Sequence, residues 1–249
     1  MPARRPCPVQ RTNLNRAFHW AAGMVPAAAA DTTMRGTAMR YIIATILLTL
    51  PAAALPAQDP AGAGRVTIAA VGDVMLGGSM AATVRELGAD HPFGPTRGIL
   101  AAADVAIGNL EAPFGTRGRP FKKRFTFLVP PVHAAALARA GFDVMALANN
   151  HMMDYGPEPL AATLALLDSL GIAHSGAGPD AARARAPAIV ERNGVRIAFL
   201  SYSRVHPLQF WAGRKKPGTA AADDAAVAAD IREAKTHADL VVVSVHWGA

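Results

Sequence analysis

Cysteine is almost absent. The one copy, Cys7, lies in an N-terminal stretch set apart below, so residues 58–249 can form no disulfide and offer no thiolate to a metal. Acidic residues are nearly missing from the first 57 positions, where Arg4, Arg5, Arg11, Arg16, Arg35 and Arg40 face only Asp31. Of the 25 basic and 18 acidic residues in the chain, that leaves 19 and 17 for the rest. The pI of about 10.2 therefore belongs to the leader, and the basic footprint of a nucleic-acid binder is lacking. No internal repeat occurs. Ser79, Ser201 and Ser203 lack a Gly-x-Ser-x-Gly context, and the loop "GDVMLGGS" lacks a closing Gly-Lys-Ser/Thr. A serine nucleophile and a nucleotide-type phosphate loop are therefore unsupported.

What the chain does have is apolar mass, 51% of 249 residues, enough for one good-sized core. From Met39 the order is a charged start (Arg40), an apolar run from Tyr41 to Leu50, then Pro51 and the small residues Ala52–Ala57. Those are the proportions of a secretory signal, and the run is shorter than the roughly 20 residues of a membrane span; the alternative is an uncleaved N-terminal anchor. We expect residues 1–38 to be a mis-assigned extension, 39–57 a signal peptide and 58–249 an exported domain, periplasmic or bound to the cell envelope.

Apolar runs then alternate with helical patterns. "RVTIAAVGDV" reads as a strand over 66–71 entering a Gly-rich loop, and 79–88 and "PTRGILAAA" read as helices. "DVAIGNLE" supplies a strand over 105–107, and 131–140 reads as a helix. The run 144–148 reads as a strand, and "PEPLAATLALLDSLG" as a helix with proline in its first turn and Gly171 past its end. "APAIVERNGVRIAFLSYS" reads as a hairpin turning at Asn193-Gly194. Residues 220–237 read as a helix and "DLVVVSVHWGA" as a last buried strand. Alternation of this kind predicts an α/β fold.

Polar residues recur at one kind of place. Asp73, Asn109 with Glu111, Asn150 with His151, and His246 each follow an apolar run. In open α/β sheets such strand ends converge on one edge, where ligands bind. Carboxylate, amide and imidazole groups gathered there suit a divalent ion such as Mn, Zn, Fe or Mg. Each residue also has a plainer reading: Asp73 as a helix cap, Glu111 as a solvated loop residue, His246 as a core histidine bonded to backbone, and Asp154 as a turn or supporting residue. The basic run from Arg117 to Arg124 reads as a solvated loop. Its functional alternative is a patch in which Lys122, Lys123 and Arg124 bind an anionic substrate.

The segments "VGDVMLGG", "GNLEAPFG", "AGFDVMALANNHMMDYG" and "VVVSVHWG" together resemble the bacterial CapA family of capsule and poly-γ-glutamate synthesis, a branch of the calcineurin-like metallophosphoesterases. That resemblance implies a metallophosphoesterase-like sandwich of two sheets flanked by helices. It assigns Asp73, Asn150 and His246 to metal, with Glu111 the nearest further carboxylate, and His151 to catalysis. Asn109 and Asp154 then support the ligands. This chain departs from the superfamily in two places: Met75 replaces the histidine of Asp-x-His, and Asn109 replaces the aspartate of Gly-Asp. The final Gly-His-x-His is absent, so the domain is expected to be incomplete at its C-terminus. The function these readings imply is metal-dependent hydrolysis of an anionic envelope polymer or its precursor, in company with a membrane-bound synthase. The alternative is a non-catalytic polymer-binding assembly or export factor. A nucleic-acid partner is not expected.

Overall fold

The computed structural model describes residues 64–248; the expected extension and signal segment lie outside the described residues. Four strands, β1 (Ile68–Val74), β2 (Val105–Leu110), β3 (Val144–Ala146) and β4 (Ala173–Ser175), form a parallel sheet in that order. The helices α1 (Ala81–Leu87), α2 (Arg97–Ala102), α3 (Ala135–Ala140) and α4 (Pro157–Ser169) make the crossovers. A two-residue pairing joins β5 (Ala177–Gly178) to β8 (Gly218–Thr219). The other sheet has the order β6 (Ala188–Arg192), β7 (Val195–Ser203), β9 (Leu240–His246), with β6 antiparallel and β9 parallel to β7. Helices α5 (Ala181–Arg185) and α6 (Asp224–Ala234) complete the order.

Side-chain alternation explains the layering. On β2, Val105 and Ile107 meet Ile197 and Phe199 of β7, with Val144, Val190 and Val242 in the same cluster. The intervening Ala106 and Leu110 turn instead toward Leu100, Leu137, Leu160 and Leu167 of the helices. On β7, Ala198, Leu200 and Tyr202 face Val227, Ile231 and Ala234 of α6. Two sheets therefore pack on each other, with helices outside both: the sandwich expected from the resemblance. The strand ends do converge, but from two sheets rather than along one, since β9 belongs to the second.

β1 runs further than its sequence suggests. The expected stop at Val71 rested on Gly72, yet the strand continues to Val74 through a bulge. Ala70 pairs with Ile107 and Asp73 with Asn109, so three steps on β1 oppose two on β2. That extra residue moves Asp73 from the helix side to the inter-sheet side, where β2 places Asn109. Gly108 makes room for it. A Cβ there would lie 2.8 Å from Val74 and 2.9 Å from Val71. The hairpin turns at Asn193-Gly194, both with positive φ (52° and 77°), as an Asn-Gly turn requires. The helix expected over 220–237 is shorter, because 218–222 pairs as extended chain before Asp223 caps α6. Trp247, just past the end of β9, is 73% exposed.

Candidate metal centre

The inner-face alternation that buries Val105 and Ile107 carries Asn109 to the inter-sheet side at the end of β2, and on β9 it carries His246 there two steps beyond Ser244. One Asn109 amide nitrogen lies 2.7 Å from Asp73 Oδ1, 2.5 Å from Glu111 Oε2 and 3.5 Å from His246 Nδ1. His246 Nε2 is 2.9 Å from Asn150 Oδ1 and 3.9 Å from Glu111 Oε1, and its Nδ1 is 3.9 Å from Asp73 Oδ1. Ligand atoms of Asp73, Glu111 and His246 all fall within 4.8 Å of one another. The four strand-end segments are thus drawn to one point.

The amide orientations follow from the backbone. Asn149 Oδ1 accepts from the backbone N–H groups of His151 and Met152, at 3.0 and 2.9 Å. Its NH2 must then be the donor to Asn109 Oδ1 (3.0 Å) and Leu110 O (2.8 Å). With Asn109 Oδ1 so occupied, its own NH2 turns to the two carboxylates. Asn109 is therefore a hydrogen-bond donor holding Asp73 and Glu111 together. An aspartate there would add a third acceptor.

The electrostatics fit a cation. Glu111 is 8% exposed, and burial, with Asp73 alongside, pushes its carboxyl up to about 7 despite the Asn109 bond. His246 is pushed down, first by burial and further by His151, against the pull of Asp73. A carboxylate that is costly to charge and an imidazole that resists protonation are states that a divalent ion relieves. His246 Nε2 and Asn150 Oδ1, 2.9 Å apart, match the edge of about 3.0 Å between neighbouring ligands on a shell of ~2.1 Å radius. Asp73, Glu111, Asn150 and His246 therefore fit a hard-to-borderline divalent ion. Met75, in place of the histidine, packs against the helix-side core and adds no ligand.

Beside this cluster stands a second one. His151 Nδ1 lies 2.7 Å from Asp154 Oδ2, and its Nε2 lies 3.9 Å from Glu111 Oε1. Asp154 is fully buried and also accepts from Phe127 N at 2.7 Å. Its Oδ1 is 2.6 Å from Lys123 Nζ, which in turn donates to Asn150 O at 2.5 Å. The Phe127 ring covers His151, with centroids 4.4 Å apart. Lys123 is thus turned inward, and of the three basic residues named from the sequence only Lys122 and Arg124 are exposed. Sequence reasoning passed over Asn149; the Asn-Asn doublet was its signal, because two amides before a histidine exceed what one turn requires. The plainer readings also meet geometry: Glu111 is buried rather than solvated, and His246 bonds the Asn150 side chain. Asp73 bonds no helix N-terminus; those of α5 and α6 are capped by Asp180 and Asp223.

Comparison with known proteins supplies the relatives. Over 186 residues the chain is 33% identical to the PGA biosynthesis protein CapA of Bacillus subtilis, covering 72% of this chain and 48% of that one. It is 30% identical over 195 residues to the capsule biosynthesis protein CapA of Bacillus anthracis, covering 74% and 47%. The chain spans about half the length of the curated relatives it matches. Among solved structures, the NAD nucleotidase of Haemophilus influenzae aligns with a TM-score of 0.41 and 16% identity, covering 63% of this chain and 28% of that one. The model of the bacterial capsule synthesis protein PGA_cap matches residues 67–249, the whole of the two-sheet sandwich described above. The chain belongs to the bacterial capsule synthesis protein PGA_cap family.

Proposed function

We propose that this protein is exported and serves the synthesis of an anionic envelope polymer of the poly-γ-glutamate kind, as a hydrolase dependent on one divalent ion. The observation that carries the reading is the meeting of Asp73, Glu111, Asn150 and His246 within one small volume, with His151 alongside. Asp73, Glu111, Asn150 and His246 would hold the ion. Bound there, it would act as a Lewis acid and lower the pKa of a bound water from 15.7 to about 7.

The residues define the rest. Asp154 takes the proton side of His151 Nδ1, which leaves Nε2 facing the carboxylates, free to give a proton to a leaving group. Lys123 supplies the buried Asp154 with a counter-charge 2.6 Å away. Phe127 shields the imidazole from water on one face. The substrate class is an anionic polymer or precursor, supported by the relatives' names, PGA biosynthesis and capsule biosynthesis protein; the partner we propose is a membrane-bound synthase.

One observation favours a second reading, a polymer-binding assembly factor without turnover. Met75 and Asn109 stand where the wider superfamily has two further metal ligands. Metal per chain, measured with hydrolysis of polyglutamate and phosphoester substrates, decides between them. Stoichiometric metal with hydrolysis supports the enzyme; metal-free protein that still restores polymer export in cells supports the factor. Sequencing the N-terminus of protein from the envelope tests export. A start between about residues 53 and 60 is expected for a cleaved signal, and an intact Met1 or Met39 refutes it.

A further inference from the structure

Among the described residues, the two longest runs without Asp or Glu are 112–142 and 192–222, and each carries a basic loop. The first is the strap 117–128. Its ends are pinned to one residue: Phe121 N donates to Asp154 O at 2.8 Å, and Phe127 N to Asp154 Oδ2 at 2.7 Å. Between those pins Lys122 and Arg124 stand exposed, with Arg119 just before them. The Arg124 guanidinium lies 4.9 Å from the ring of Phe125, itself 56% exposed, so this cation rests on an aromatic surface.

The second is the turn Gly213–Lys216, "GRKK". It is closed by reciprocal Gly213–Lys216 backbone bonds and tied down by Ala181 N donating to Gly213 O at 2.9 Å. Arg214, Lys215 and Lys216 are all exposed. The base of this loop is pinched tight, since a Cβ on Gly218 would lie 2.2 Å from Phe210 O. Phe210 is also where the two loops meet. Its ring contacts Phe121 edge-on at 5.0 Å, and Lys123 Nζ sits 5.2 Å from its centroid. Arg214 is four residues from Phe210, at most ~14 Å along the chain.

Among the described residues, Arg119, Lys122, Arg124, Arg214, Lys215 and Lys216 make no ion pair with a carboxylate, whereas Arg97, Arg139, Arg185 and Arg192 all do. Six unneutralised cations on two stiff turns sharing one aromatic joint are arranged for a ligand with many negative charges in a line. We infer that the strap and the Gly213–Lys216 turn together form a two-part docking surface for a linear polycarboxylate. The inference rests on the anionic-polymer reading above. It adds a second turn that the sequence had not singled out, and it removes Lys123, whose charge Asp154 already consumes. A polymer spanning both turns gains from the second contact as an intramolecular event, which a glutamate dimer cannot do.

The test is fluorescence anisotropy on the full chain. The probe is a labelled α-linked glutamate oligomer of about 20 residues, long enough at ~3.3 Å per residue to reach both turns. Arg214→Gln/Lys215→Gln/Lys216→Gln and Arg119→Gln/Lys122→Gln/Arg124→Gln are each expected to weaken binding roughly tenfold at low salt and to flatten its salt dependence. The control Arg85→Gln/Arg232→Gln/Lys235→Gln removes the same charge from exposed helix positions and is expected to change little. If the oligomer fails to bind the parent chain, the anionic-polymer reading falls and this inference with it. If the parent binds and the 214–216 variant matches the control, the second turn is no part of the surface and the inference alone is overturned. Tighter binding of a polyphosphate of equal charge would overturn the polycarboxylate assignment.

Discussion

Replacing Glu111 with glutamine isolates the electrostatic strain of the centre. The carboxyl is raised from 4.5 to about 7 in the folded chain, chiefly by burial and next by Asp73. At about 1.4 kcal/mol per pKa unit, charging it costs the metal-free fold about 3 kcal/mol relative to the unfolded chain. The sign follows from proton counting. Below pH 4.5 both states are protonated and nothing is lost. Between 4.5 and about 7 the folded state holds the extra proton, so stability falls as pH rises. Above that the full penalty is present. Glutamine keeps the shape and can still accept from Asn109 while carrying no charge. Chelator-treated Glu111→Gln should therefore match the parent at pH 4 and exceed it by about 2–3 kcal/mol at pH 8, by urea unfolding. Asp73→Asn in the parent should reduce that pH slope without abolishing it, because burial is the larger cause. Adding a divalent ion at pH 8 should invert the order, since the parent alone keeps an anionic ligand there. A gain that does not change with pH, or a loss at pH 8 without metal, would refute the account of Glu111.

Other outcomes follow from the same contacts. Asp73→Asn and His246→Ala should each lower metal per chain, measured by elemental analysis after dialysis; unchanged metal in both would mean the cluster is not the site. Lys123→Met leaves Asp154 buried without its cation and should cost about 3 kcal/mol in urea unfolding. A cost within about 0.5 kcal/mol, the range of ordinary surface changes, would place Lys123 among the solvated charges after all. Gly108→Ala puts a methyl into Val71 and Val74 at 2.8–2.9 Å and should cost about 1–3 kcal/mol while weakening metal retention. Full retention would show that the bulge does not aim Asp73.

The sequence made some of this legible and hid the rest for identifiable reasons. The Asn193-Gly194 hairpin and α4 were readable because their signals are local: an Asn-Gly turn, a proline in the first turn, a glycine past the end. The polar residues at the strand ends were readable because alternation and strand termination are written in adjacent positions. The extent of β1 was not, because a bulge is a relation between two strands and Gly72 looks like a stop. The inward turn of Lys123 was equally hidden. In a run of five cations nothing distinguishes the one whose partner, Asp154, lies further along the chain. That His246 arrives from the second sheet depends on packing of β2 against β7, which no single segment encodes.

The bulge in β1 makes the direction of Asp73 a question of parity. Exchanging Val71 or Gly72 for another residue alters bulk but leaves the count intact, so the carboxylate still points between the sheets. Deleting either one removes the extra residue and leaves two steps on β1 against two on β2, so Asp73 would still lie opposite Asn109 in an unbulged strand. Adding a residue there has the opposite effect: Ile68, Ala69 and Ala70 would keep their partners on β2, while Asp73 would be carried one step on, to the helix side opposite Leu110. The vulnerability of this centre to insertions is therefore concentrated in a few backbone positions that bind nothing, and one gained codon there would disarm it with every ligand still in the sequence.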